Sequence, residues 1–186
     1  MLMAVTLLIG GARSGKSRLA ETLAAKLAIR DAGRVTFVAT AQALDTEMAD
    51  RIARHRQVRP ASWITVEEPV AVSTWLRGHN ATDSIVVVDC LTLLLSNWMF
   101  LNQSSDDQIS REIDELIVAL SVFQGQVIVV TNQVGEGIVP NDPITRQYRD
   151  WLGILNQRVA AVAHEVFLVV AGIPIDLRQF EAQWNR

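Results

Sequence analysis

Val5-Thr6-Leu7-Leu8-Ile9-Gly10-Gly11-Ala12-Arg13-Ser14-Gly15-Lys16-Ser17 carries an apolar run into a glycine-rich turn and then into a segment of helical spacing. Gly10 and Gly15 are separated by four residues and followed by Lys16 and Ser17, the pattern of a phosphate-binding loop when it lies between a strand and a helix. The glycines let the backbone fold around phosphate oxygens. The loop amides and the helix N-terminus supply partial positive charge, Lys16 adds a full one, and Ser17 can ligate Mg²⁺. A glycine-rich turn with an incidental lysine would not need the strand before it and the helix after it.

Outward from the loop, short apolar runs alternate with longer segments of helical period, which predicts parallel strands buried on both faces by crossover helices. Strands are expected near Val5–Ile9, Val35–Ala39, Ile64–Glu67, Ile85–Asp89, Val127–Thr131 and Val166–Val170. Ser105-Asp106-Asp107-Gln108 is a capping box that starts a helix running to about Phe123, and a second helix starts near Pro143. Without an internal repeat or linker, residues 1–186 read as one P-loop NTPase-like α/β domain with a mostly parallel central sheet flanked by helices. The loop Gln133–Pro143, with Gly135 and Gly137, follows a strand on the edge where open α/β sheets bind ligands. Val86-Val87-Val88-Asp89 ends a strand in an acid, as a metal-linked carboxylate in the Walker B position requires; a cap for the next helix is the alternative use of Asp89.

Composition narrows the partners. The chain has 49% hydrophobic and 20% charged residues and a net charge of −3, which favours a packed core over disorder and argues against general attraction to nucleic acid or an anionic membrane. One cysteine, Cys90, excludes an internal disulfide and fits a cytoplasmic protein. No apolar run approaches the roughly 20 residues that span a bilayer, and Met1–Ile9 reads as a buried strand rather than a leader.

Arg51-Ile52-Ala53-Arg54-His55-Arg56-Gln57-Val58-Arg59-Pro60 concentrates four arginines and a histidine without an acid in this acidic chain. A solvated helix face or an oligomer contact would account for such a cluster, and so would a polyphosphate ligand. His55 shares a helix side with Met48 and Ile52, as a half-buried core histidine does. A neutral imidazole there can also attack phosphorus while arginines stabilise the developing charge. His79 and His164 carry no such setting, His164 standing at a helix end where a cation is favourable. Cys90 reads as a small buried residue rather than a nucleophile.

Gly-Gly-Ala-Arg-Ser-Gly-Lys-Ser (10–17), Ala-Thr-Ala-Gln (39–42), Arg-Ile-Ala-Arg-His-Arg (51–56), Asp-Cys-Leu-Thr (89–92), Thr-Asn-Gln-Val-Gly-Glu-Gly-Ile-Val-Pro (131–140) and Leu-Asn-Gln-Arg-Val-Ala (155–160) together resemble one family closely. It is the bifunctional adenosylcobinamide kinase and adenosylcobinamide-phosphate guanylyltransferase of cobalamin biosynthesis. The resemblance implies phosphorylation of adenosylcobinamide by ATP or GTP, then conversion to adenosylcobinamide-GDP by GTP, with Mg²⁺ as cofactor. It implies that His55 becomes guanylylated and that Lys16 is catalytic. It also implies nucleotide contacts from Gly10, Gly11, Ala12, Arg13, Ser14, Gly15, Lys16, Ser17, Thr40, Ala41, Gln42, Arg56, Gln57, Val58, Arg59, Glu67 and Asp89, with Ser17 and Asp89 on the metal. Glu67 would be the carboxylate that accepts from a guanine edge, with neighbouring Glu68 or a plain surface role for Glu67 as the alternatives. A homotrimer is implied as well.

Two positions depart from the family pattern. Gln133 stands where Glu is frequent after Thr-Asn, which bears on a metal or hydroxyl contact in the kinase step. His164 stands where an acid is common, and there only surface charge is expected to change. Two other functions fit a phosphate loop: a small-molecule P-loop kinase that makes no use of His55, and a GTP-binding regulatory protein that only changes shape.

Overall fold

The computed structural model describes residues 4–57 and 59–182, except for the side chains of Arg51 and His55. Among these residues the strands β1 (Ala4–Gly10), β2 (Arg34–Ala39), β3 (Ile64–Glu67), β4 (Ser84–Asp89), β5 (Gln126–Asn132), β6 (Glu165–Val170) and β7 (Ile173–Asp176) form one sheet in the order β3-β2-β4-β5-β1-β6-β7. All neighbours are parallel except β6 and β7. The helices are α1 (Lys16–Asp31), α2 (Thr46–Gln57), α3 (Val72–Gly78), α4 (Leu91–Ser96), α5 (Asp106–Ser121) and α6 (Pro143–Val162), with a π-helical turn, Asn97–Leu101, directly after α4.

Alternation along the central strands fills both faces at once. Val5, Leu7, Val86, Val88, Val127 and Val129 pack with buried residues of α3 to α6 on one face. Leu8, Ile85, Val87, Ile128 and Val130 pack with Ala20 and Ala24 of α1 on the other. Each fully buried leucine or valine contributes about 1.5–3 kcal/mol relative to exposure, so the centre of the sheet is a rigid base for the loops at its C-terminal edge.

The capping box and the helix start near Pro143 are both present, and two further caps accompany them. Ser105 Oγ accepts from the Gln108 amide at 3.4 Å while Gln108 Oε1 accepts from the Ser105 amide at 2.7 Å, closing the capping box of α5. Asp142 caps α6 by accepting from the Thr145 amide at 2.7 Å, with Pro143 next. Asp45 does the same for α2 through Met48.

Strand β7 was not expected. Its four residues include Pro174, a composition that fits only an edge strand. Ala171 and Gly172, with φ of 51° and 82°, make the tight turn that folds it back antiparallel. His164 is also more than a surface charge: its Nδ1 accepts from the Val5 amide at 3.1 Å, and its own amide donates to Val5 O at 2.8 Å. It joins β1 to the start of β6. Among the described residues, no helix is long and apolar enough to cross a membrane.

Candidate functional site

The loop after β1 is wound around its own lysine. Lys16 Nζ donates to Gly10 O at 2.9 Å, Gly11 O at 2.6 Å and Ser14 Oγ at 3.2 Å. Burial pulls the Lys16 ammonium below its usual range, while Cys90 and Asp89 push the other way. Two outside contacts hold the loop: Gly172 donates its amide to Ser14 O at 2.8 Å, and Gln133 donates its amide to Gly10 O at 3.1 Å. Gly15 has φ 99°, where a side chain would be strained, and a Cβ there would also press on Gly172 Cα at 3.2 Å. Gln133 is itself exposed, and its backbone ties the start of the loop after β5 to the phosphate loop.

Beside the loop runs a cleft of two adjoining cavities. The larger, about 540 Å³, brings Arg13, Lys16 and Arg18 together with Glu47 and Arg54 of α2. The smaller, about 180 Å³, has an apolar floor of Phe37, Met48 and Ile52, with Arg56, Arg59 and Glu67 toward the sheet edge. Ser17, Asp89, Cys90 and Asn132 line both. Helix α2 therefore flanks the whole cleft, and His55 lies on its backbone between Arg54 and Arg56. The His55 side chain and the whole of Val58 fall outside the described residues.

The base-sized end is built by strand ends. The Arg59 side chain is 8% exposed, lies over the Phe37 ring at 3.4 Å from its centroid, and has its Nε 3.7 Å from Glu21 Oε1. Burial lowers its pKa and the Glu21 and Asp89 carboxylates oppose this; an arginine remains charged regardless. Glu67 lines the cavity, half-exposed, with its Oε1 3.4 Å from Arg56. Glu68 is used differently: its Oε1 accepts from the Val70 and Ala71 amides at 3.2 and 2.8 Å. Of the two competing carboxylates, Glu67 is the one that lines the cleft.

Other anticipated residues take different places. Thr40 is fully buried and its hydroxyl is engaged with the Cys90 backbone, so its side chain serves the cleft wall. Ala41 lines the smaller cavity, whereas the Gln42 Oε1 is buried without a hydrogen-bond partner among the described residues. Gln57 is exposed at the end of α2. Asp89 does not cap α4, whose N-cap is Cys90 without a side-chain bond. Burial pushes the Cys90 thiol up to about 11, so it stays protonated through the neutral range.

A buried polar network behind the cleft was not foreseen. Thr131 Oγ1 donates to Asn156 Oδ1 at 2.7 Å, Asn156 Nδ2 to Asn132 O at 3.1 Å, the Asn132 amide to Thr92 Oγ1 at 3.1 Å, and Tyr148 OH to Thr92 O at 2.9 Å. It fixes Asn132 and Thr92 beside Asp89. Thr92, Thr131, Asn132 and Asn156 stand in three of the motifs quoted above, far apart along the chain, and Tyr148 in none.

Among the described residues no cluster of three His, Cys, Asp or Glu could hold a metal by itself. The Ser17 hydroxyl and Asp89 carboxylate share one cavity wall, and two hard oxygen groups beside a phosphate loop suit Mg²⁺, which keeps several waters and takes its remaining ligands from phosphates.

The phosphate loop after β1, the acid ending β4 and the parallel sheet define a P-loop nucleotide-binding α/β protein. A KaiC-like protein of Pyrococcus horikoshii shares this fold with a TM-score of 0.51 at 16% identity, over 90% of this chain and 71% of that one. The chain belongs to the cobinamide kinase / cobinamide phosphate guanyltransferase family, whose model matches residues 6–177. It is 42% identical to the bifunctional adenosylcobalamin biosynthesis protein CobP of Pseudomonas aeruginosa, over 92% of this chain and 96% of that protein. It is 40% identical to the corresponding CobU of Escherichia coli, over 92% and 98% of the two chains.

Proposed function

We propose that this chain phosphorylates adenosylcobinamide with ATP or GTP and then transfers GMP from GTP, through a guanylylated His55, to give adenosylcobinamide-GDP. The observation that carries the reading is the placement of α2 along the cleft: Arg54 and Arg56, on either side of His55, line the two cavities that meet at Ser17 and Asp89.

In the kinase step the substrate hydroxyl oxygen bonds to the γ-phosphorus, the bond to the bridging oxygen breaks, and the nucleoside diphosphate leaves as the hydroxyl proton passes to solvent. Lys16 and the loop amides hold the phosphate oxygens. In the transferase step a His55 ring nitrogen bonds to the α-phosphorus of GTP and pyrophosphate leaves. A phosphate oxygen of adenosylcobinamide phosphate then attacks the same phosphorus, the P–N bond breaks and His55 is regenerated. Arg56 and Arg59 neutralise the charge between two anions. Glu67 accepts from the guanine edge. Ser17 and Asp89 would hold Mg²⁺, which supplies charge neutralisation at the phosphates.

In this reading residues 1–186 act as one domain in the cytoplasm. The chain assembles as a homotrimer, for which the exposed Ile173, Ile175 and Phe180 near the β7 edge offer apolar surface. Incubation with GTP, Mg²⁺ and adenosylcobinamide, followed by mass analysis of products, should give the corrinoid phosphate and then the GDP derivative. Phosphate transfer without nucleotidyl transfer would leave only a P-loop kinase.

A further inference from the structure

Asn97, at the start of the π-helical turn after α4, is only 8% exposed. Both of its amide hydrogens are committed: Nδ2 donates to Thr40 O at 2.9 Å and to Pro69 O at 2.8 Å. Thr40 follows the end of β2 and precedes Ala41; Pro69 lies two residues beyond Glu67 at the end of β3. The next residue repeats the device, Trp98 Nε1 donating to Val70 O at 2.9 Å. Asn97 is itself anchored to the end of β4, because α4 starts directly after Asp89–Cys90 and buries Leu91, Leu94 and Leu95 in the core.

These bonds tie together three strand ends that carry different parts of the cleft. We propose that Asn97 is a positioning residue for nucleobase recognition, its amide fixing the spacing between the Thr40–Ala41 and Glu67–Pro69 segments so that Glu67 meets the guanine donors. This rests on the proposed function, in which Glu67 reads the guanine edge. Asn97 lines neither cavity of the cleft and acts only through these carbonyls. A single side chain with two N–H donors is required, since aspartate would set a charge against two carbonyl oxygens and serine would reach at most one.

The test compares protein guanylylation by GTP with the corresponding reaction of ITP, which lacks the 2-amino group, in wild type, Glu67→Gln, Asn97→Asp and Asn97→Ser. Wild type should favour GTP in kcat/KM by on the order of tenfold or more, the worth of a hydrogen bond to a charged carboxylate. Glu67→Gln should lose most of that preference. Both Asn97 variants should raise the KM for GTP and bring the GTP/ITP ratio toward one, with inhibition by inorganic pyrophosphate unchanged. Asn97→Ser carries the test if Asn97→Asp does not fold. A merely structural role would lower the thermal midpoint and slow both nucleotides in proportion; a wild-type ratio in a folded Asn97 variant overturns the proposal. A wild type without preference for GTP overturns the base reading and this inference with it, whereas a preference lost in Glu67→Gln but kept in Asn97→Ser overturns this inference alone.

Discussion

Thr40 and Cys90 hold each other by a reciprocal pair of hydrogen bonds: the Thr40 hydroxyl accepts from the Cys90 amide and donates to the Cys90 carbonyl, each at 2.8 Å. Thr40→Val preserves shape and removes both bonds. The Cys90 carbonyl keeps the Leu94 amide at 3.1 Å, so the cost is that of one unpaired, largely buried Cys90 amide, about 1–3 kcal/mol; the urea midpoint should fall correspondingly, while Thr40→Ser stays near wild type. A Thr40→Val protein as stable as wild type would show that the pair does not hold the wall.

Lys16 occupies the centre of the phosphate loop. Lys16→Ala should lower both transfers by about 10²–10³-fold, as loss of one preorganised charge-stabilising donor does, with far-UV circular dichroism unchanged. Wild-type rates in the folded variant would remove Lys16 from the mechanism.

Ser17 and Asp89 share a cavity wall, and excess chelator should abolish both activities, with Mg²⁺ restoring them. Asp89→Asn should raise the Mg²⁺ concentration needed for half-maximal rate. Turnover that persists in chelator contradicts the metal role given to this pair.

The Cys90 thiol, pushed up to about 11, is protonated through the neutral range. Its raised value means thiolate accumulates only as pH climbs toward 11, so alkylation at pH 8 should run about a hundredfold slower than for a free cysteine and accelerate above pH 10. Rapid labelling at pH 8 would mean the thiol is more open than its packing indicates.

The parts of the fold set by local patterns were legible in the sequence. Six strands, the phosphate loop, the capping box at Ser105 and the helix start near Pro143 depend on residues close in the chain. Strand β7 escaped because four residues with a proline carry little strand signal, and the turn at Ala171–Gly172 that places it shows only as φ values. The motif residues around the cleft were visible, but their division of labour was not. Adjacent Glu67 and Glu68 have the same chemistry, and it is the Val70 and Ala71 amides, both donating to Glu68, that set them apart. Asn156 and Tyr148 support Asn132 and Thr92 from α6, a contact between segments 24 and 56 residues apart that periodicity cannot reveal.

In the proposed mechanism His55 is the nucleotidylated residue. The direct measurement is intact mass of the protein after incubation with GTP and Mg²⁺ without corrinoid, followed by peptide mapping under alkaline conditions, where a phosphoramidate survives. The expected result is a mass increase of one GMP that maps to His55, is lost in acid, is discharged by adenosylcobinamide phosphate and is absent from His55→Ala. An adduct retained in His55→Ala, or mapped to any other residue, would contradict the account.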